Sequence, residues 1–207
     1  MDNAAFKAVI NLYERHAQAF AALRPVSLTE RPWLDRFIRY LPAGGHVLDI
    51  GCGTGSPVAE YLLGQGFRVT GIDSSPSMIA LCRDKFPQAS WKVADMRQLD
   101  LGKTFDGILA WDSFFHLCQS DQRDMFALFS AHARPGTVLM FNTGPEAGEA
   151  FGQFQGETLA HASLSPEEYA SLMQDYDFQI VRHSAEDKAC NGRTLWLAVK
   201  SVPGQPD

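Results

Sequence analysis

Val47-Leu48-Asp49-Ile50-Gly51-Cys52-Gly53-Thr54-Gly55 decides how the rest of the 207-residue chain is read. An apolar run of strand-forming residues passes without a break into a loop that carries Gly51, Gly53 and Gly55. Glycine is needed where a ligand approaches the backbone closely, because a Cβ would stand in the way, and the N–H groups opening the next helix then face the ligand's polar end. Loops of this kind serve nicotinamide, flavin and methyl-donor cofactors alike, so the loop alone does not choose among them. Asp73 stands 22 residues beyond Gly51, closing the next apolar run, Val69-Thr70-Gly71-Ile72-Asp73. A carboxylate there can accept hydrogen bonds from both hydroxyls of a ribose, which points to a ligand containing a nucleoside. The dinucleotide fingerprint asks for glycine at position 56, where this chain has Ser56 followed by Pro57.

Outward from that loop, β-rich runs alternate with helical stretches. Strands are expected at His46–Ile50, Phe67–Ile72, Ser90–Ala94, Phe105–Ala110 and Thr137–Phe141, each bounded by Gly, Pro, Asp or Ser. Helices are expected at Pro57–Leu63, Pro76–Lys85 and Asp121–Ala133, with a short piece at Ser113–Cys118. Such alternation implies right-handed crossovers and a parallel sheet covered by helices on both faces. Ahead of it, Phe6, Val9, Ile10, Tyr13, Ala17 and Phe20 form the apolar stripe of a covering helix, and a second helix is expected to start after Thr29, with Pro32 in its first turn, and to end near Leu41. After a Gly-rich connection, Ser165-Pro166-Glu167-Glu168 caps a helix to about Asp175. Phe178–Ser184 and Thr194–Lys200 then flank Asn191-Gly192, a hairpin that makes one late strand antiparallel. Glu186 and Asp187 read as a solvated turn, and Val202–Asp207 as a loose tail.

The fold class expected is therefore α/β: a Rossmann-like, seven-stranded, mostly parallel sheet with an antiparallel C-terminal strand and helices on both faces. A single domain of 1–207 is expected, with covering helices over 1–41, a cofactor-binding core over 42–141, a lid candidate over 142–164, and a helix and hairpin over 165–201. Hydrophobic residues at 45% and charged residues at 20% are ordinary for a globular protein. No apolar run approaches the roughly 20 residues of a membrane span, and Asp2 with no apolar stretch behind it is unlike a secretory leader. A cytoplasmic protein without a membrane partner is the expectation. Cys52, Cys82, Cys118 and Cys190 have no C-x-x-C spacing, so buried thiols are expected rather than a zinc or disulfide framework. A net charge of -6 disfavours a nucleic-acid backbone as partner.

With an acid two places before its first glycine, Asp49-Ile50-Gly51-Cys52-Gly53-Thr54-Gly55 resembles the first motif of class I S-adenosylmethionine-dependent methyltransferases. Later segments agree in order. Gly71-Ile72-Asp73-Ser74-Ser75-Pro76-Ser77-Met78 resembles that family's ribose-binding segment, Ala94-Asp95-Met96 its adenine-binding segment, Phe105-Asp106-Gly107-Ile108-Leu109-Ala110 its fourth strand, and Ala133-Arg134-Pro135-Gly136-Thr137-Val138 its turn into the fifth. The resemblance covers roughly Tyr13 to Lys200. It implies S-adenosylmethionine as cofactor, Gly51, Gly53 and Gly55 beneath its methionine part, and Asp49 orienting its ammonium. It further implies Asp73 and Ser74 at the ribose, Asp95 and the N–H of Met96 at the adenine, and Met78 on one adenine face. Trp111 would sit beside the cofactor, and Tyr13 would close over its methionine end.

The resemblance implies methyl transfer to oxygen or nitrogen of a small molecule, in which positioning supplies most of the rate and a proton must leave the nucleophile. His116, just past the fourth strand, is the first candidate base, with His16 and His161 as alternatives. Asp112 and His116 stand four residues apart, a spacing that suits half a metal site, but a solvated or capping acid is preferred there. Metal-dependent catechol-type methyltransferases carry an Asp-Asn pair after the fifth strand, where this chain has Phe141-Asn142; the acid is missing, and no metal is expected. Trp111, Phe114 and Phe115 are either packing or an aromatic substrate wall. The fourth strand ends Ala110-Trp111-Asp112-Ser113, unlike the loop used to methylate amino groups of bases. Two further functions stay open: an S-adenosylmethionine-binding module without catalysis, and a nicotinamide-dependent oxidoreductase. A monomer or homodimer is expected.

Overall fold

The computed structural model of the chain describes residues 4–23 and 27–201. Three helices come first: α1 (Ala4–Arg15), α2 (Ala17–Leu23) and α3 (Arg31–Ile38). The alternating core follows as β1 (His46–Ile50), α4 (Val58–Gly64), β2 (Arg68–Asp73), α5 (Pro76–Lys85), β3 (Ser90–Val93), β4 (Phe105–Ala110), α6 (Gln119–Ala131) and β5 (Ala133–Thr143). The chain closes with β6 (Gly148–Phe154), β7 (Glu157–Ser163), α7 (Pro166–Asp175), β8 (Phe178–Asp187) and β9 (Arg193–Lys200). The expected tail at 202–207 lies outside the described residues.

Seven strands form one sheet in the order β3-β2-β1-β4-β5-β9-β8. All neighbours are parallel from β3 to β5, and β9 runs antiparallel to both β5 and β8. This is the expected α/β sheet with its one reversed strand. Consecutive residues of a strand face opposite ways, and both faces here are buried. Along β5, Leu139 and Phe141 join one apolar cluster while Val138 and Met140 join the other. The first cluster is covered by α6 and α7 through Phe126, Phe129, Tyr169 and Met173. The second is covered by α3, α4 and α5 through Trp33, Phe37, Leu62 and Ile79. Strand order reverses between β1 and β4, and in such sheets a crevice opens beyond the carboxyl ends of the strands at that point.

Local chemistry sets the helix starts. Ser75 caps α5, its Oγ accepting from Met78 N at 3.1 Å, and Ser165 caps α7, its Oγ accepting from Glu168 N at 3.2 Å, each followed by proline at the first position. Three expectations are corrected. The opening stripe is two helices, broken at His16, so that Phe20 belongs to α2 rather than α1. The Gly-rich connection contains a separate two-stranded antiparallel sheet, β6 paired with β7 from Gly148↔Ser163 to Phe154↔Glu157. Gln155 and Gly156 turn it with positive φ angles of 51° and 80°, the conformation of a two-residue hairpin turn. Finally, Asp187 is not a solvated turn residue, since its carboxylate accepts from Trp33 Nε1 at 2.9 Å and caps the turn at Ala189. Among the described residues no helix is long and apolar enough to cross a membrane.

Candidate active site

The loop after β1 is tied to the end of β2 before any ligand is considered. Gly51 N and Cys52 N both donate to Ile72 O, at 2.8 and 2.9 Å. Asp73 then spans two loops: one carboxylate oxygen accepts from Gly53 N and the other from Ser75 N, each at 2.9 Å. Burial raises the Asp73 pKa, and those backbone donors oppose the rise. Gly51 takes φ +71°, and a Cβ there would fall 2.4 Å from Ser113 Cβ. Gly53, at φ +54°, would meet only the edge of Phe20 at 3.5 Å, leaving a cradle open toward the cleft. Gly55 departs from expectation. It does not line the cleft but faces Phe86 and Trp91, whose ring carbons would stand 3.1–3.3 Å from a Cβ, so its role is close packing under the loop.

Beyond the strand ends lies a cleft of ≈ 1010 Å³ with its open mouth counted. Tyr13, Asp49, Gly51, Gly53, Asp73, Ser74, Met78, Asp95, Met96, Trp111 and His116 all line it. Residues from five segments more than a hundred positions apart are thereby brought to one wall. Asp49 is buried at its floor, and Met78 is both buried and part of the wall. Trp111 is buried too, its indole Nε1 without a hydrogen-bond partner among the described residues. Phe114 is core, packed on Phe126, Phe129 and Phe141, and not a substrate wall.

Sequence reasoning missed several wall residues. Phe6, Val9 and Ile10 on α1 and Phe20 on α2 roof the cleft. Their helical spacing marked a buried face but not what that face covers. Arg97 and Asp121 complete the end near Asp95, Arg97 binding Asp95 through Nε and Nη2 and reaching Asp121 at 3.4 Å. Burial works against the Asp95 carboxylate, but the Arg97 hydrogen bonds outweigh it and hold its pKa below the usual range. The roof is fastened by Glu14, which accepts from Ser75 Oγ at 2.5 Å, Ser77 Oγ at 2.7 Å and Ser77 N at 3.0 Å. Those hydrogen bonds lower the Glu14 pKa, and they place its charge at the positive end of α5. On the other side, Arg15 and His16 both bind Glu157 of β7.

Asp112 is neither solvated nor a cap. Its carboxylate takes Arg193 Nε and Nη2 at 2.8 and 2.7 Å and Asn142 Nδ2 at 2.9 Å, while its own N–H donates to Asn142 Oδ1 at 2.7 Å. Both partners arrive from strands that pair only in the folded sheet, which explains why local sequence suggested solvent. Among the described residues no group of three His, Cys, Asp or Glu is arranged to hold a metal ion.

His116 bridges roof and floor. Its Nδ1 lies 3.1 Å from Ala160 O, an acceptor only, so Nδ1 carries the proton and Nε2 accepts from Tyr13 Oη at 3.0 Å. His161 lies beside it, the two rings tilted by 33° with centroids 4.8 Å apart. Burial lowers the His116 pKa to about 4, so it does not titrate near neutrality as expected from sequence. Between pH 6.5 and about 4 the unfolded chain therefore binds a proton that the folded protein refuses, and stability falls as pH drops through that window. Replacing His116 by Gln should shrink this fall by about 2 kcal/mol in urea unfolding at pH 7 and pH 4.5, allowing for the partial exposure of the ring. An unchanged pH dependence in the variant would show that His116 is not held neutral by the fold.

Comparison with known proteins gives three findings. A family profile described as "Methyltransferase domain" matches residues 13–183. An O-methyltransferase of Pyrenophora dematioidea is 27% identical over 166 residues, covering 74% of this chain but only 61% of the relative, less than two thirds of its length. An amino pentose methyltransferase from Micromonospora echinaspora, solved with SAM bound, superposes with a TM-score of 0.70 over 90% of this chain and 96% of its own, at 21% identity. At that identity the superposition speaks for the fold.

Proposed function

The chain belongs to the methyltransferase-domain family, and from that premise we propose that it moves a methyl group from S-adenosylmethionine to an oxygen or nitrogen of a small molecule. One arrangement carries this reading: Asp49 and Asp73, at the ends of β1 and β2, face a single cleft floored by Gly51 and Gly53 and extended past Asp95 and Met96. The cleft fits the cofactor on structural grounds. Gly53 leaves a cradle that a Cβ would narrow, two carboxylates suit a ligand with cationic ammonium and sulfonium groups, and Asp73 is held rigidly by Gly53 N and Ser75 N.

In this assignment Asp73 and Ser74 hold the ribose, Asp95 and Met96 the base, Met78 packs on the base, and Asp49 orients the ammonium. The cofactor, when bound, supplies a methyl group on positively charged sulfur, already activated toward a nucleophile. The protein aligns the nucleophile and excludes water, for which α1 serves as roof with Phe6, Val9 and Ile10. Tyr13 has committed its hydroxyl hydrogen to His116 Nε2, so its oxygen accepts a hydrogen bond from the substrate and orients the nucleophile. His116, kept neutral by burial and fixed on Ala160 O, holds that hydroxyl in place and is a positioning residue rather than the proton acceptor expected from sequence. The β6–β7 hairpin, fastened to Arg15 of α1 and to His16 through Glu157, is assigned to the cover of the acceptor side.

Isothermal titration with S-adenosylmethionine, S-adenosylhomocysteine and NADH tests the assignment. Both sulfur ligands should bind and NADH should not, and Asp73→Ala should weaken the sulfur ligands about 100-fold, since it removes charge-assisted hydrogen bonds to two hydroxyls. Selective binding of NADH, or full affinity in the variant, would overturn it.

A further inference from the structure

The base-recognising end of the cleft contains one feature that its family assignment does not require. Asp95 is not an isolated acceptor. Its Oδ1 receives Arg97 N–H at 3.0 Å and Arg97 Nε–H at 3.0 Å, the latter shared with Oδ2 at 3.1 Å, and its Oδ2 receives Arg97 Nη2–H at 2.5 Å. A carboxylate offers about four acceptor sites, so three donors from one neighbour leave a single one. Arg97 is itself fixed from the far side, its Nη1 lying 3.4 Å from Asp121 Oδ2 in the first turn of α6. Asp95, Arg97 and Asp121 all line the cleft, and their side chains are only 22–28% exposed.

We propose that Arg97 is a positioning residue for base selectivity: by occupying three of the Asp95 acceptor sites and being anchored to Asp121, it leaves one acceptor direction and so selects a purine bearing an amino donor over one bearing a carbonyl at the same position. The inference rests on the assignment of this cleft to an S-adenosyl ligand. Its chemistry is local. A rigid guanidinium fork fixes the plane of the carboxylate, which a freely rotating acid could tilt to suit either ring substituent. The Asp95 charge is also kept ionised, and an ionised carboxylate has no hydrogen to offer a carbonyl. A 6-oxo purine would therefore set oxygen against oxygen.

The test compares S-adenosylhomocysteine with S-inosylhomocysteine, its 6-oxo counterpart, by titration into the wild-type chain, Arg97→Gln, Arg97→Lys and Asp121→Asn, with thermal melts to verify folding. The wild type should prefer the adenosyl ligand by about 30-fold or more. Arg97→Gln should lower affinity for the adenosyl ligand about 10-fold while scarcely changing that for the inosyl ligand, so that the ratio collapses. Arg97→Lys keeps the charge but not the fork and should fall between, and Asp121→Asn should reduce the ratio a few-fold. An unchanged ratio in a folded Arg97→Gln chain, or an equal loss for both ligands, overturns the proposal and leaves Arg97 with a structural role only. Should Arg97→Gln fail to fold, the ratio in Arg97→Lys decides by the same criterion. Wild-type protein that binds neither ligand would instead overturn the cofactor assignment itself, and this inference with it.

Discussion

Phe141→Ala is expected to lower the free energy of unfolding by about 3–5 kcal/mol, the range for truncating a fully enclosed aromatic side chain. Phe141 has no exposed surface and sits on β5, an interior strand paired with β4 on one side and β9 on the other. Its ring is met edge-on by Phe114 at 5.2 Å, Phe126 at 5.9 Å and Tyr169 at 5.8 Å, and is stacked on Trp196 at 6.2 Å and 11°. Aromatic neighbours held by one another cannot collapse into the space left by the ring, so most of the void persists. Loss of function should accompany loss of stability, because Asn142, the next residue, orients Asp112 at the cleft. Urea unfolding gives the number directly, with an unchanged slope showing that the same surface is exposed. A fall below about 1.5 kcal/mol would mean that the cluster repacks freely, contrary to the close aromatic contacts described.

Much of the fold was legible because its signals are short-range. β1 and β4 begin and end where apolar runs meet Gly, Asp or Phe, and α5 and α7 begin where Ser-Pro caps them, so both strands and both helices fall at the expected residues. The β6–β7 hairpin was not legible. Its turn is Gln155-Gly156 rather than Asn-Gly, and Gly148, Glu149 and Gly152 dilute the alternation that would mark a strand. In the site, the motif segments located ten of the eleven expected cofactor residues at the cleft, whereas Gly55 followed a different constraint: packing against Phe86 and Trp91. The partners of those residues were hidden by distance along the chain. Asp112 finds Arg193 at a separation of 81 residues, and Glu14 finds Ser75 and Ser77 at 61 and 63. No local pattern encodes such pairs, so an acid whose partner is remote reads as solvated.

Gly51→Ala is expected to weaken S-adenosylhomocysteine about 1,000-fold or more, equivalent to roughly 4 kcal/mol. Two effects act together. The residue sits at φ +71°, where an L side chain is strained, and the added Cβ would lie 2.4 Å from Ser113 Cβ and 2.8 Å from its Oγ. Ser113 cannot swing away cheaply, because its Oγ donates to Ile50 O at 2.7 Å and the residue is buried. The loop must move instead, and it carries Gly53 N, which fixes the Asp73 carboxylate. A change of one methyl group thus reaches both the floor of the cleft and the Asp73 carboxylate proposed to hold the ribose. The double variant Gly51→Ala/Ser113→Gly separates the causes: it removes the collision but keeps the strained backbone, and should recover about 10-fold of the lost affinity. Recovery to wild-type affinity would assign the whole effect to the collision, and a folded Gly51→Ala chain that binds normally would remove the loop after β1 from the cofactor site altogether.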